Sequence, residues 1–125
     1  KEYGEHAGGS PDAVAWMVPG IKASFGGELK CPDRDTHWTY LREIKDQYDL
    51  QKVSEQYYGQ CQGLMRTFDC DLWHWFSFNS YFPLKDRGLI IEVKKDKRWH
   101  DDMEIRWDMA IKAKVELVEE MKNRK

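Results

Sequence analysis

The residues with the clearest chemical content are Glu28-Leu29-Lys30, preceded 16 positions earlier by Asp12. Side chains alternate between faces in an extended strand, so Glu28 and Lys30 share one face and Leu29 takes the other. If a hairpin partner brings Asp12 alongside, two carboxylates and one ammonium group converge. Mg²⁺ is a hard cation that takes oxygen ligands, and Asp12, Glu28 and the backbone carbonyl of Leu29 are suitable donors, with Mn²⁺ as the alternative ion. Such a cation neutralises charge developing on a phosphate and makes water a better nucleophile. Lys30 could orient that water or stabilise the transition state. The chemistry expected of the set is phosphodiester hydrolysis. Taken alone, a Glu-x-Lys strand also fits an ordinary solvated face.

These side chains need strands to carry them. Ala13 to Val18 is a short apolar run closed by Pro19-Gly20, and residues 21–31, interrupted by Gly26-Gly27, can form a second strand, so the two read as a hairpin. A short helix is expected over 37–45 and a stronger one over 50–68, where Val53, Tyr57, Gln60 and Leu64 recur at helical spacing. Strands are expected over 71–81 and 88–94, separated by a turn containing Pro83. Residues 98–123 place Met103, Trp107, Ala110, Leu117 and Met121 near one face of a long amphipathic helix, a stripe that could cover its own sheet or pack on a partner. The order strand, strand, helix, strand, strand, helix predicts an α/β domain with a mixed central sheet flanked by helices. Residues 1–10 have no periodicity and read as a loop.

The 125 residues, 41% hydrophobic and 14% aromatic, suit a single domain over 1–125. With 34% charged residues and a mean hydropathy of -0.81, no apolar run reaches the roughly 18–20 residues of a membrane span, and no membrane partner is expected. No apolar signal segment opens the chain, which predicts a cytoplasmic protein. The start at Lys1 in a Gly-rich stretch leads to the expectation that an upstream portion is missing. Cys31, Cys61 and Cys70 are odd in number and lack metal-ligand spacing, so they read as buried thiols. A net charge of -2 does not decide for or against nucleic acid, because a groove can concentrate bases while a metal site needs acids.

Several other residues admit two readings. Gln56, Gln60 and Gly63 share one helical face, whereas Gln62 lies on the side of Tyr58 and Met65, so Gln60 and Gln62 cannot both face one ion. The plain alternative is a partly exposed amphipathic helix. The aromatic run Leu72 to Phe78 could stack on unpaired bases or fill the core, and His74 within it is read as a packing residue. Lys94, Lys95, Lys97 and Arg98 give a local positive bias that could contact DNA phosphates or form a solvated surface.

Ser10-Pro11-Asp12, Glu28-Leu29-Lys30-Cys31-Pro32 and the stretch Tyr57-Tyr58-Gly59-Gln60-Cys61-Gln62-Gly63-Leu64-Met65 occur in this order. Together they resemble the phage lambda exonuclease-type, YqaJ-like viral recombinase family within the PD-(D/E)XK nucleases. The resemblance runs from about Ser10 to the last helix. It implies a restriction-endonuclease-like core in which Asp12 and Glu28 ligate metal, Lys30 is the catalytic lysine and Gln60 helps organise the site, with Gln62 a weaker candidate. It further implies hydrolysis of linear double-stranded DNA in the 5′ to 3′ direction, a single-strand annealing protein as partner, and a ring-shaped homotrimer. Ala13 departs from the glycine common in the family, and the family's N-terminal helical region is missing. With three cysteines, the relatives that hold an iron–sulfur cluster are disfavoured. An endonuclease or repair nuclease on the same core, and a catalytically silent DNA-binding domain, are the competing functions.

Overall fold

The computed structural model describes residues 11–18 and 22–124. The loop expected over 1–10 and the Pro19-Gly20 turn lie outside them. Strand β1 (Ala13–Val18) pairs antiparallel with β2 (Lys22–Lys30), which is the expected hairpin. Three helices follow, α1 (Arg34–Glu43), α2 (Gln47–Val53) and α3 (Glu55–Phe68). They carry the chain across to β3 (Leu72–Phe78), which lies parallel to β2, and β4 (Gly88–Lys94) returns antiparallel. The sheet order is β1-β2-β3-β4, so the architecture is α/β with a mixed four-stranded sheet. Helix α4 (Lys97–Lys122) closes the chain.

Local chemistry sets the helix ends. Asp33, Asp46, Ser54 and Asp96 each accept hydrogen bonds from first-turn amides, satisfying donors that a helix start leaves open. The single helix expected over 50–68 is in fact two, because Ser54 ends α2 and caps α3 through Tyr57 N at 3.3 Å. The first helix begins at Arg34, three residues earlier than expected, on the cap supplied by Asp33.

The core lies between the sheet and the helical layer. Trp73 and Trp75 of β3 are fully buried, with Trp75 meeting Tyr40 of α1 and Tyr57 of α3. Core packing is therefore the fate of these two rings, not base stacking. Gly26-Gly27 does not interrupt β2, and a side chain at Gly26 would overlap the Trp73 indole, so glycine lets the ring close over the strand.

Two expectations about burial are corrected. Cys31 is exposed, while Cys61 and Cys70 are buried outside any disulfide, because Cys31 follows Leu29 onto the sheet face away from α1–α3. That face carries Phe25, Leu29, Phe78 and Ile90, all exposed. The apolar stripe of α4 does not cover the sheet: of its members Met103 is buried, but Leu117 is 56% and Met121 62% exposed. At about 1.5 Å per residue, the 26-residue α4 is roughly 39 Å long and the 14-residue α3 that it packs on is roughly 21 Å, so α4 overshoots its support. No described helix is long and apolar enough to cross a membrane.

Candidate active site

The end of the β1–β2 hairpin assembles the charged cluster. The last pair in the ladder is Ala13 with Gly27, so Asp12 sits just beyond it, and its Oδ2 accepts a hydrogen bond from the Leu29 amide at 2.7 Å. The N–H and C=O of one strand residue point to the same edge, which leaves the Leu29 carbonyl on the Asp12 side as well. Glu28 is 3% exposed, with its side chain on the core face. Its Oε2 lies 3.8 Å from Lys30 Nζ, while its Oε1 is buried and has no hydrogen-bond partner. Burial pushes the Glu28 carboxyl above the ordinary glutamate range, the nearby Asp12 carboxylate adds to this, and Lys30 opposes it.

Helix α3 supplies the opposite wall. Lys30 Nζ donates to Gln60 Oε1 at 3.1 Å and stands 4.7 Å from the centroid of the Tyr57 ring. The amine is thus held by a carboxylate, an amide oxygen and an aromatic face. Tyr57 was not singled out for the site in the sequence, although its place one turn before Gln60 puts both on the same side of α3. Cys61, next in the helix, faces inward, and burial pushes its thiol up to about 12, so it offers no thiolate to a ligand.

Asp12, Glu28, Leu29, Lys30 and Gln60 are therefore brought together. Gln62 is not. It is fully buried, where its amide donates to the Lys94 carbonyl at 3.0 Å and its Oε1 accepts from Asp96 N at 3.0 Å and His100 Nε2 at 2.9 Å. This residue ties α3 to the β4–α4 turn. Asp96 in that turn accepts from the Tyr58 hydroxyl at 2.6 Å, and although burial alone would raise its pKa, this bond and the Trp99 and Arg98 amides hold Asp96 below the ordinary carboxylate range.

Lys94, Lys95, Lys97 and Arg98 are exposed on that turn. Lys94 pairs with Leu72 at the start of β3, whereas Lys30 pairs with Ser77 five residues further along, roughly 16 Å at strand spacing. The basic turn does not enter the charged cluster, and Lys97 is engaged by Asp101 at 2.8 Å. His74 lies on the sheet face away from Glu28, edge-on to Phe25 with ring centroids 5.3 Å apart, as a packing residue would.

A neutral pocket does not need an acid kept 3% exposed with one oxygen unpartnered. Two adjacent carboxyl groups and a strand-edge carbonyl form a hard-oxygen donor set of the kind a divalent cation takes. Among the described residues no three His, Cys, Asp or Glu side chains are placed to hold one metal ion, so a cation here would complete its coordination with a backbone oxygen, water and substrate.

No protein-family model and no curated protein matches the chain significantly. Solved structures do. The chain is similar to an alkaline exonuclease (LHK-Exo) from Laribacter hongkongensis, with 16% identity, a TM-score of 0.66, and coverage of 90% of this chain and 53% of the other. LHK-Exo in complex with dAMP matches with 17% identity and a TM-score of 0.59 over 78% of this chain and 48% of that one. A phage related exonuclease from Haemophilus somnus 129PT matches with 20% identity and a TM-score of 0.59 over 78% of this chain and 52% of its own. At these identities the likeness is one of fold, and the chain spans about half the length of the structures it matches.

Proposed function

We propose that this chain forms the catalytic core of a metal-dependent deoxyribonuclease, an exonuclease that hydrolyses linear double-stranded DNA from an end. The observation that carries the reading is the buried Glu28, its Oε1 unpartnered, beside the Asp12 carboxylate and the Lys30 amine. The exonuclease fold of the similar structures supports it.

Asp12, Glu28 and the Leu29 carbonyl would hold Mg²⁺, or Mn²⁺, which when bound neutralises phosphate charge and lowers the pKa of water. The chain's own groups do the rest. Asp12 is fixed by the Leu29 amide, so its second oxygen is presented without conformational search. Lys30 keeps a compact positive charge at the mouth of the site, where it donates to a phosphate oxygen as negative charge builds there. Gln60 and Tyr57 aim that amine and restrain its flexible stem. Lys94, Lys95, Lys97 and Arg98, at the far end of the sheet, would contact phosphates of the duplex away from the cut.

The 5′ to 3′ direction, a single-strand annealing partner, a homotrimer and a role in phage-type recombination belong to the same proposal and rest on the motif resemblance. The test is digestion of 5′-phosphorylated linear duplex and of closed circular DNA with Mg²⁺ by a full-length form. Loss of linear DNA with circles intact, and no loss with Glu28→Gln, is the expected result. Nicking of the circles would instead establish an endonuclease, and equal digestion by Glu28→Gln would reject the site.

A further inference from the structure

With Trp73 and Trp75 in the core, the accessible aromatic side chains near the site lie elsewhere. Arg34, Trp38 and Arg42 recur every four residues along one exposed stripe of α1. The loop after β3 brings Tyr81 and Phe82 against that stripe. Arg34 Cζ stands 5.8 Å from the Tyr81 ring centroid and Arg42 Cζ 5.7 Å from that of Trp38. Trp38 and Phe82 stack with centroids 6.5 Å apart and planes at 25°. Tyr81 is 83% exposed and Trp38 50%.

The loop is fastened in place. Asn79, buried, donates to the Pro32 carbonyl at 3.1 Å and accepts from the Tyr81 amide at 2.9 Å, and Arg87 Nε donates to the Phe82 carbonyl at 2.9 Å. His37 Nε2 donates to the Asp86 carbonyl at 2.8 Å, and His37 Nδ1 shares a hydrogen bond with the Ser77 hydroxyl at 2.7 Å, locking the loop to α1 and β3. The rings are presented on a rigid base, which reduces the ordering cost of binding.

We propose that Arg34, Trp38, Arg42, Tyr81 and Phe82 form a stacking surface for a single strand of nucleic acid leaving the cluster at Glu28 and Lys30. Exposed rings flanked by guanidinium groups suit a ligand with a π-face at every base and a negative charge at every backbone unit. Asp35 and Glu43 also lie on α1, so stacking, more than net charge, supplies the binding. Position supports the same ligand. Arg34 follows Lys30 by four residues, a chain reach of at most about 14 Å, or roughly four stacked nucleotides, and Pro32 between them anchors the loop through Asn79. This surface rests on the nuclease reading for its role but not for its binding.

The test is a fluorescence-anisotropy titration of a labelled oligo-dT and of a duplex of equal length, at low salt in EDTA, with the full chain. Each base stacked on a ring is worth about 5- to 150-fold in affinity. Tyr81→Ala and Trp38→Ala are expected to weaken oligo-dT binding by factors in that range, Tyr81→Phe to preserve it, and duplex binding to change less than about twofold. Tyr81 is so exposed that its removal leaves the fold intact, which keeps the result readable if Trp38→Ala folds poorly. Oligo-dT affinity within twofold of wild type for Tyr81→Ala, or no oligo-dT binding by the wild type, overturns the proposal and leaves a protein partner as the ligand of these rings. Loss of strand binding in Tyr81→Ala by a protein that cannot cut DNA would uphold the surface and sink the nuclease reading, whereas cutting with unchanged strand binding does the reverse.

Discussion

At the scale of single residues, the site is a conflict between burial and charge. Glu28 is favoured as the neutral acid while it stands buried against Asp12, and an ion held between them would favour the carboxylate. The sign follows: stability that the neutral form contributes is present below the ordinary glutamate range and is lost as pH rises through the raised folded value. Thermal melts without divalent ions should therefore show Glu28→Gln gaining on the wild type as pH rises above the ordinary glutamate range, by about 4 °C for a change near 1 kcal/mol. In the same window cation affinity and hydrolysis should rise with pH for the wild type, and a pH-independent cation affinity would contradict the role given to Glu28. The period of two in β2 made Glu28 and Lys30 legible as one face, and the hairpin made Asp12 legible as their neighbour. Tyr57 was not legible, because its contact with Lys30 depends on how α3 is rotated over the strand.

At the scale of elements, the two glutamines of α3 separate function from structure. Gln60 is exposed and reaches Lys30, so Gln60→Ala should lower hydrolysis, by about 10-fold for one hydrogen bond to a charged group, with a melting curve near that of the wild type. Gln62 is enclosed, and Gln62→Ala would take away the partner of the Asp96 amide and of His100 Nε2 and leave the Lys94 carbonyl with Gln47 alone. Denaturant titration should show a loss of about 2–4 kcal/mol for it. A reversed outcome, stable Gln62→Ala with unstable Gln60→Ala, would mean that the helix faces are misassigned. Gly26→Ala is expected to destabilise by about 1–3 kcal/mol through overlap with Trp73, in a core with no slack for the added carbon. That these glutamines take different faces followed from helical geometry, and that Gln60 is the one toward the site followed from the motif resemblance. The break at Ser54 did not, since Val53 and Tyr57 continue the apolar spacing across it and only a capped serine marks the join.

At the scale of the whole molecule, element order predicted the mixed sheet, since a hairpin, a helical crossover and a second hairpin leave few ways to bury one face of each strand. What covers each apolar surface was not legible. An apolar stripe states that a helix has a dry side and not which surface meets it, and α4 outruns α3 because helix length is set by sequence while support is set by the sheet. The aromatic run in β3 divided between the two faces of the sheet for the same reason, with Trp73 and Trp75 inside and Phe78 outside. The central claim, that Lys30 works beside a cation held by Asp12 and Glu28, is tested most directly by single-turnover digestion of linear duplex DNA with Mg²⁺, comparing a full-length wild type with Lys30→Ala. The account predicts rapid, EDTA-sensitive loss of duplex by the wild type and a rate lower by about 10²–10³-fold, roughly 3–4 kcal/mol, for the variant. Equal rates for the two proteins would contradict it.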